Sequence, residues 1–190
     1  MFIKKTKFIY ITFYVLIFIL IAAVFGVSYA LNSLYKTSYP LHYIEYIEEY
    51  HQKYNVDKNI VLAVIHTESG FNKLALSNKN ARGLMQIMEE TFEWAKHRMR
   101  DERELTYNDM YIEQHNIQYG IYILSLLYEE FKTTETVLAA YHSGRGIVNK
   151  WLSTDEYLQE GKLNTEKLPY NAKNYIKKVN EAYEVYSKLY

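Results

Sequence analysis

An uncharged stretch of 24 residues near the N-terminus, Phe8 to Leu31, most strongly constrains how this chain can fold. At about 1.5 Å per residue, a helix of this length is long enough to cross the roughly 30 Å apolar core of a bilayer. Three lysines precede the stretch and only Lys36 follows it closely, which favours a cytoplasmic N-terminus. We therefore expect residues 1–31 to be a single-pass membrane anchor, with the rest of the chain on the extracytoplasmic side.

A cleaved signal peptide is the alternative interpretation, because Ser28-Tyr29-Ala30 is similar to a small-x-small cleavage site. The apolar run is longer than a usual signal-peptide core, which favours an uncleaved anchor. Both interpretations export the domain that follows. The chain has no cysteine, so disulfides, thiolate chemistry and a lipid-modified cysteine anchor are all excluded.

The remaining sequence predicts a short linker and one mainly α-helical domain. Residues 32–40 are polar and contain Ser, Thr and Pro, as a linker would, and residues 41–190 are long enough for one domain. That domain has 18 basic and 22 acidic residues, a net charge of −4, which argues against a nucleic-acid partner. Apolar periodicity predicts helices at 41–54, 57–69, 89–100 and 111–131, two short helices within 134–151, a polar loop at 153–168, and a final helix containing 175–186.

One carboxylate, Glu68, comes near the end of a helix that includes six consecutive apolar residues, Ile60 to Ile65. Asp57 suits the N-cap of this helix and Gly70 suits its C-terminal stop. Loss of solvent beside an apolar helix disfavours the charged carboxylate and raises its pKa, which a general acid working near neutral pH requires. The alternative is an ordinary helix-end glutamate that faces water.

A set of short motifs follows Glu68 at characteristic distances. Glu68 is followed directly by Ser69, and the later pieces are Ser77, then Gly83-Leu84-Met85-Gln86, then Met88. In this order and spacing, the motifs resemble those of lytic transglycosylases of the soluble-lytic-transglycosylase type, which are relatives of goose-type lysozyme. Asn116-Ile117-x-x-Gly120 is also similar to a pattern of that family. Asn116 itself could be a buried polar strut or a substrate contact, and we favour the strut.

Two later segments match the family only in part. Tyr141 stands where the family has the Tyr of Ala-Tyr-Asn-Ala-Gly, but His142 replaces the Asn and adds a titratable group near the site. Near the C-terminus Tyr175 matches in character, whereas Asn171-Ala172 replaces an acid-Thr pair. The peptide-stem contacts that the family assigns to that acid are therefore not carried over to this chain.

The resemblance implies a lysozyme-like helical fold and a peptidoglycan substrate. Glu68 would protonate the oxygen between N-acetylmuramic acid and N-acetylglucosamine, and would then deprotonate the muramoyl C6 hydroxyl, which closes a 1,6-anhydro ring. Ser77 and Gln86 would hydrogen-bond sugar groups, and Met88 would line the cleft. Tyr141 would support Glu68 or the developing charge, with His142 and Tyr175 nearby. For Ser77 a turn and for Met88 simple packing remain the alternatives.

Two other functions stay open from the sequence. A lysozyme-type muramidase on the same fold would use water in place of the C6 hydroxyl, and a wall-binding or assembly module would bind glycan without cleaving it. No cofactor is expected, and no metal site, because the six histidines lack HExxH or equivalent spacing.

Small anchored enzymes of this type often serve secretion, conjugation or sporulation complexes, so such a complex is a further expected partner beside the glycan strands and the membrane.

Overall fold

The computed structural model describes the backbone of residues 2–190 and the side chains of residues 13–190. Lys4, Lys5 and Lys7, on which the predicted orientation rests, and the first residues of the predicted span lie outside the described side chains. The described chain forms two compact units that divide between Pro40 and Leu41.

The first unit is one long helix, α1 (Phe2–Ser38). Its segment Phe13–Ser38 has a mean hydropathy of 2.5 and is long and apolar enough to cross a membrane. Large apolar side chains of this segment are exposed, such as that of Phe18 at 72%, as is normal for a helix that faces lipid. The segment 32–40 that we predict as a linker is helical as far as Ser38.

The second unit is a helical domain whose elements agree closely with the predicted ones. Its seven α-helices are α2 (Ile44–Tyr54), α3 (Lys58–Ser69), α4 (Glu89–Met99), α5 (Glu113–Phe131), α6 (Thr134–Ser143), α7 (Arg145–Leu152) and α8 (Tyr170–Leu189). Three 3₁₀ turns connect them, at Tyr107–Tyr111, Asp155–Tyr157 and Thr165–Lys167. The two short helices predicted within 134–151 are confirmed, and Gly144 separates α6 from α7 with φ +92°.

Helix α5 is the centre of this domain and contacts α2, α4 and α6. It is buried on a broad face, which includes the polar residues Asn116 and Gln118. Gly120 lies at its closest approach to the rest of the domain, because a Cβ at this position would overlap the Met85 side chain. Close packing therefore explains a glycine in the middle of this helix, where it would otherwise weaken the helix.

The prediction of a polar loop at 153–168 is wrong in part. The segment contains a two-stranded antiparallel hairpin, β1 (Leu158–Gln159) and β2 (Lys162–Leu163), in addition to two 3₁₀ turns. Glu160 and Gly161 both have positive φ, +51° and +74°, as a tight two-residue hairpin turn requires. The strands are too short for alternation of apolar and polar residues to reveal them in the sequence.

Candidate active site

Helix α3 delivers Glu68 to its position, and its two ends are set by local sequence. The Asp57 side chain accepts a hydrogen bond from the Asn59 amide at 2.7 Å, and Gly70 ends the helix with φ +57°. Ile60 to Ile65 are all buried. The predicted N-cap, C-terminal stop and buried apolar run are therefore confirmed. Together they hold the last turn of α3, with Glu68, against the domain core.

Glu68 is only partly accessible to solvent, and burial raises the pKa of its carboxyl from 4.5 to about 7. The Tyr175 hydroxyl opposes this pKa shift in part, because it faces the carboxylate and favours its charged form. That hydroxyl is itself buried and makes no hydrogen bond of good geometry within the described residues. The pKa of Glu68 is therefore set by burial and by one tyrosine.

The loop after α3 folds back onto the end of the helix. The Ser69 hydroxyl donates to the Leu84 carbonyl at 2.7 Å, which ties the Gly-Leu-Met-Gln segment to α3. Arg82 forms isolated β-bridges with Leu76 and with Ile87, so the two sides of the loop are paired. The result is a fixed wall of the site that begins one residue after Glu68.

Ser77 and Gln86 both hold this loop in shape. The Ser77 oxygen accepts from the Ala81 amide at 2.9 Å, and the Gln86 side-chain amide donates to the carbonyls of Ala75 and Gly83 at 3.1 and 2.9 Å. Gln86 also has positive φ, +47°, so its backbone is held in a conformation that is uncommon for residues other than glycine. A hydrogen bond from either residue to a sugar stays a prediction, and for Gln86 it would use the side-chain oxygen.

Asn116 anchors the same loop from α5. It is fully buried, its side-chain oxygen accepts from the Met85 amide at 2.7 Å, and its amide donates to the carbonyls of Arg82 and Met110 at 3.0 and 2.8 Å. Gly83 is required next to it, because a Cβ there would overlap the Asn116 amide and φ is +74°. Asn116 is a buried polar strut, as we favoured from the sequence.

Tyr141 joins α6 to the site. Its hydroxyl donates to the Met85 carbonyl at 2.7 Å. Asn116 binds the backbone amide of Met85 and Tyr141 binds its backbone carbonyl, so the two side chains fix the same residue. Burial raises the pKa of the Tyr141 phenol well above its ordinary value, and the nearby Glu68 carboxylate raises it further. Tyr141 is therefore a neutral phenol close to Glu68.

His142 and Tyr175 form a stacked aromatic pair. Their ring centroids are 4.5 Å apart with an angle of 19° between the planes. His142 is exposed by area, but its partial burial, with a smaller contribution from the positive charge of Lys79, lowers its pKa. Lys79 is a residue that our sequence analysis missed, because a lysine in a loop rich in Asn and Ser gives no signal of its position.

Met88 lies just before α4 and is 43% exposed. Its predicted role in lining the cleft stays a prediction.

The structure thus brings Glu68, Tyr141, His142 and Tyr175 into one place, and Ser77 and Gln86 stabilise the adjoining loop. Among the side chains of residues 13–190, no group of three or more His, Cys, Asp or Glu is placed to hold a metal ion.

A separate open cavity of about 510 Å³ lies at the opposite end of α3. It is lined by residues such as Asp57, Tyr128 and Tyr183, near the N-terminus of the helix that carries Glu68 near its C-terminus. Its lining includes none of the predicted site residues. The candidate active site therefore lies at Glu68, where the predicted residues meet, and not at this cavity.

The sequence of the second unit also matches a known family. The model of the transglycosylase SLT domain matches residues 45–164, which is more than half of the chain. The chain belongs to this family. The motif resemblance on which the sequence analysis relied is therefore confirmed.

Curated relatives of this SLT domain protein include two bacterial proteins named as transglycosylases. It is 29% identical over 154 residues to membrane-bound lytic murein transglycosylase C of Actinobacillus pleuropneumoniae, which covers 69% of this chain and 42% of the relative. It is 30% identical over 144 residues to a putative soluble lytic murein transglycosylase of Haemophilus influenzae, which covers 71% of this chain and 23% of the relative. The chain thus spans less than half of either relative.

Solved structures confirm the fold. The 70 kDa soluble lytic transglycosylase of Escherichia coli superposes with a TM-score of 0.73 at 23% identity, over 81% of this chain and 25% of that chain. An inactive mutant of the lytic transglycosylase Slt from Pseudomonas aeruginosa gives a TM-score of 0.72 at 21% identity, over 80% of this chain and 25% of that chain. The predicted mainly α, lysozyme-like fold behind an N-terminal apolar helix is therefore confirmed.

Proposed function

We propose that this chain is a peptidoglycan lytic transglycosylase that cleaves the β-1,4 bond between N-acetylmuramic acid and N-acetylglucosamine. The observation that carries the proposal is the environment of Glu68. Its pKa is raised to about 7 by burial, so about half of the molecules present a carboxylic acid at neutral pH. Membership in the SLT domain family and the names of the relatives support the same activity.

The surroundings of Glu68 favour a mechanism with one carboxylate. Most glycosidases use two carboxyl groups on either side of the bond that is cleaved. Within the part of the chain whose side chains are described, no second carboxylate contributes to the pKa of Glu68. A nucleophile supplied by the substrate, the muramoyl C6 hydroxyl, would remove the need for a second protein carboxylate.

In the proposed reaction Glu68 acts first as an acid and then as a base. Its carboxyl proton goes to the glycosidic oxygen as the bond to muramoyl C1 breaks, and N-acetylglucosamine leaves with a new hydroxyl. The muramoyl C6 oxygen then bonds to C1, and its proton returns to Glu68. The product carries a 1,6-anhydro ring, no water is consumed, and the enzyme ends in its starting protonation state.

Neighbouring groups would assist these steps. The unpaired Tyr175 hydroxyl faces Glu68 and is placed to stabilise the carboxylate after the first proton transfer. Tyr141 fixes the Met85 backbone beside the acid. The Gln86 side-chain oxygen and the Ser77 hydroxyl would contact sugars, and Met88 would line the cleft.

We also propose where the enzyme acts. The apolar segment Phe13–Ser38 of α1 would anchor it in the cell membrane as a single pass with the N-terminus in the cytoplasm. The Actinobacillus pleuropneumoniae relative is named as membrane-bound. The catalytic domain would then face peptidoglycan, and a place in a secretion, conjugation or sporulation complex stays a prediction.

Mass spectrometry of muropeptides released from purified peptidoglycan tests the proposal. The parent chain should release fragments that end in 1,6-anhydromuramic acid, and Glu68→Gln should release none while it keeps its helical circular dichroism. Glu93→Gln, a change at an exposed glutamate of α4, is the matched control and should behave as the parent.

Other outcomes would contradict the proposal in different ways. Fragments with reducing muramic acid ends would indicate a muramidase that admits water. Binding to the intact wall with no release from either protein would indicate a wall-binding or assembly module.

A further inference from the structure

The open cavity at the N-terminal end of α3 is built from separate parts of the domain. The turn before α3 and the first turn of that helix contribute the buried apolar residues Val56 and Ile60, each 4% exposed. The end of α5, the start of α6 and the middle of α8 contribute the other sides, with Tyr128, Glu135 and Tyr183. Its volume of about 510 Å³ is in the range of sites that hold small ligands.

Three carboxylates line the cavity, and each has a local source of positive charge. Asp57 is the N-cap of α3 and accepts from the Asn59 amide at 2.7 Å. Glu135 lies in the first turn of α6, where the helix dipole favours a carboxylate. Glu184 pairs with Lys188 at 2.9 Å. The cavity therefore does not need a bound cation to balance its charge.

The neutral polar groups of the cavity supply both donors and acceptors. The Tyr183 hydroxyl donates to Asp57 at 3.3 Å, and the hydroxyls of Tyr128 and Thr134 share a hydrogen bond at 3.2 Å. The Asn180 side chain makes no hydrogen bond within residues 13–190, so its amide can both donate to a ligand and accept from one. These groups suit a neutral ligand with several hydroxyl or amide groups.

We propose that this cavity binds an N-acetylhexosamine unit of peptidoglycan, as a second glycan site apart from the strand at Glu68. The inference rests on the proposed function, because that function supplies the glycan. A sugar offers hydroxyls that donate and accept, and apolar C–H faces that pack on tyrosine rings and aliphatic side chains. Asp57 and Glu68 are separated by about 16 Å along α3, at 1.5 Å per residue, so both sites can be occupied at once.

Equilibrium dialysis with chitotriose, a neutral trimer of N-acetylglucosamine without peptides, tests the second site. The full chain with Glu68→Gln, in detergent micelles, should bind two molecules of chitotriose at saturation. Raised salt should leave this binding unchanged, because the ligand carries no charge to be screened. Photoreactive chitotriose should label the part of α8 that contains Asn180 and Tyr183.

Changes in the cavity identify the groups responsible. Adding Asn180→Ala or Tyr183→Ala should weaken one of the two binding events about fivefold or more and remove the label from α8, as expected for the loss of one hydrogen bond or one ring. Tyr183→Phe keeps the ring and should retain most of the binding. Asn149→Ala, at an exposed asparagine of α7, is the matched control and should bind as the parent.

The following results would overturn the proposal. One is a single chitotriose site in the parent, and another is two undiminished sites in both Asn180→Ala and Tyr183→Ala. A third is binding of spermine, a polyamine, at the cavity in place of chitotriose, with an affinity that falls as salt is raised. That result would mean that the three carboxylates select a cation.

Muropeptide release by the chain with intact Glu68 is measured in parallel, so that the two proposals can fail separately. Two chitotriose sites without release would contradict the proposed function and leave the second glycan site. Release with a single chitotriose site would contradict the second site and leave the proposed function.

Discussion

At the scale of single residues, the raised pKa of Glu68 couples activity to pH. The proposed reaction begins with a proton on this carboxyl, and the pKa is about 7. We expect kcat/KM for muropeptide release to fall about tenfold per pH unit above pH 7, because only the protonated fraction reacts. A profile that stays flat from pH 6 to 9 would contradict the role of Glu68 as the acid.

The same pKa shift predicts a pH-dependent stability. The folded-state pKa of about 7 lies above the ordinary 4.5, so the folded chain holds this proton more tightly than the unfolded chain. Stability is therefore lost as pH rises from about 4.5 through 7, by about 2 kcal/mol once partial solvent access is considered. Glu68→Gln removes this loss, so the variant should exceed the parent in urea unfolding at pH 8 but not at pH 4.

Tyr141→Phe removes the hydroxyl that donates to the Met85 carbonyl at 2.7 Å. A buried carbonyl that loses its donor should cost about 1–2 kcal/mol in the free energy of unfolding, and kcat should fall because the wall beside Glu68 loosens. Tyr183→Phe is the matched control, since its hydroxyl bonds Asp57 at 3.3 Å in an exposed position and should cost less than about 0.5 kcal/mol. Equal losses of unfolding free energy in the two variants would show that the hydrogen bond to Met85 stabilises the domain no more than an exposed one.

At the scale of elements, the approach of α5 to the active-site loop depends on Gly120. Gly120→Ala would place a methyl group where the Met85 side chain packs, so we expect a loss of about 1–3 kcal/mol in urea unfolding. Gly146→Ala in α7 meets no atom within 4 Å and should be neutral or stabilising by up to about 1 kcal/mol. If Gly146→Ala were more destabilising than Gly120→Ala, the active-site loop would have to shift away from α5 with little loss of unfolding free energy.

The contact between α5 and the loop also depends on the chemistry of Asn116. Asn116→Asp keeps an acceptor for the Met85 amide but loses the donor for the carbonyls of Arg82 and Met110. We expect a loss of about 3 kcal/mol in chemical unfolding at pH 7, because a buried carboxylate would face two carbonyl oxygens. Asn171→Asp, at the exposed start of α8, is the control and should be neutral or slightly stabilising.

At the scale of the whole molecule, the division at Pro40 and Leu41 predicts that the second unit folds without α1. Residues 37–190 should be soluble, keep the helical circular dichroism of the domain, and cleave soluble glycan fragments with the kcat of the full chain. The full chain should sediment with membranes and the shorter one should not. Loss of cooperative unfolding in residues 37–190 would show that α1 contributes to the core.

What the sequence by itself determined depends on local signals. Asp57 and Gly70 mark the ends of α3 because a cap needs only its own neighbours in the chain, and the run from Ile60 to Ile65 predicts burial without a partner being named. The motif order from Glu68 to Met88 led to the family, and the long apolar run led to α1. The hairpin at Leu158–Leu163 was missed because four strand residues carry no periodic pattern.

Only the tertiary structure decided how the candidate site is built. It showed that Asn116 and Tyr141 hold the same residue, Met85, from two different helices. It also stacked His142 of α6 on Tyr175 of α8, with ring centroids 4.5 Å apart. These contacts join side chains from distant parts of the chain, so their geometry follows from how the helices pack and not from local sequence. Burial of Glu68, and so its pKa, is likewise a property of that packing and not of any single segment.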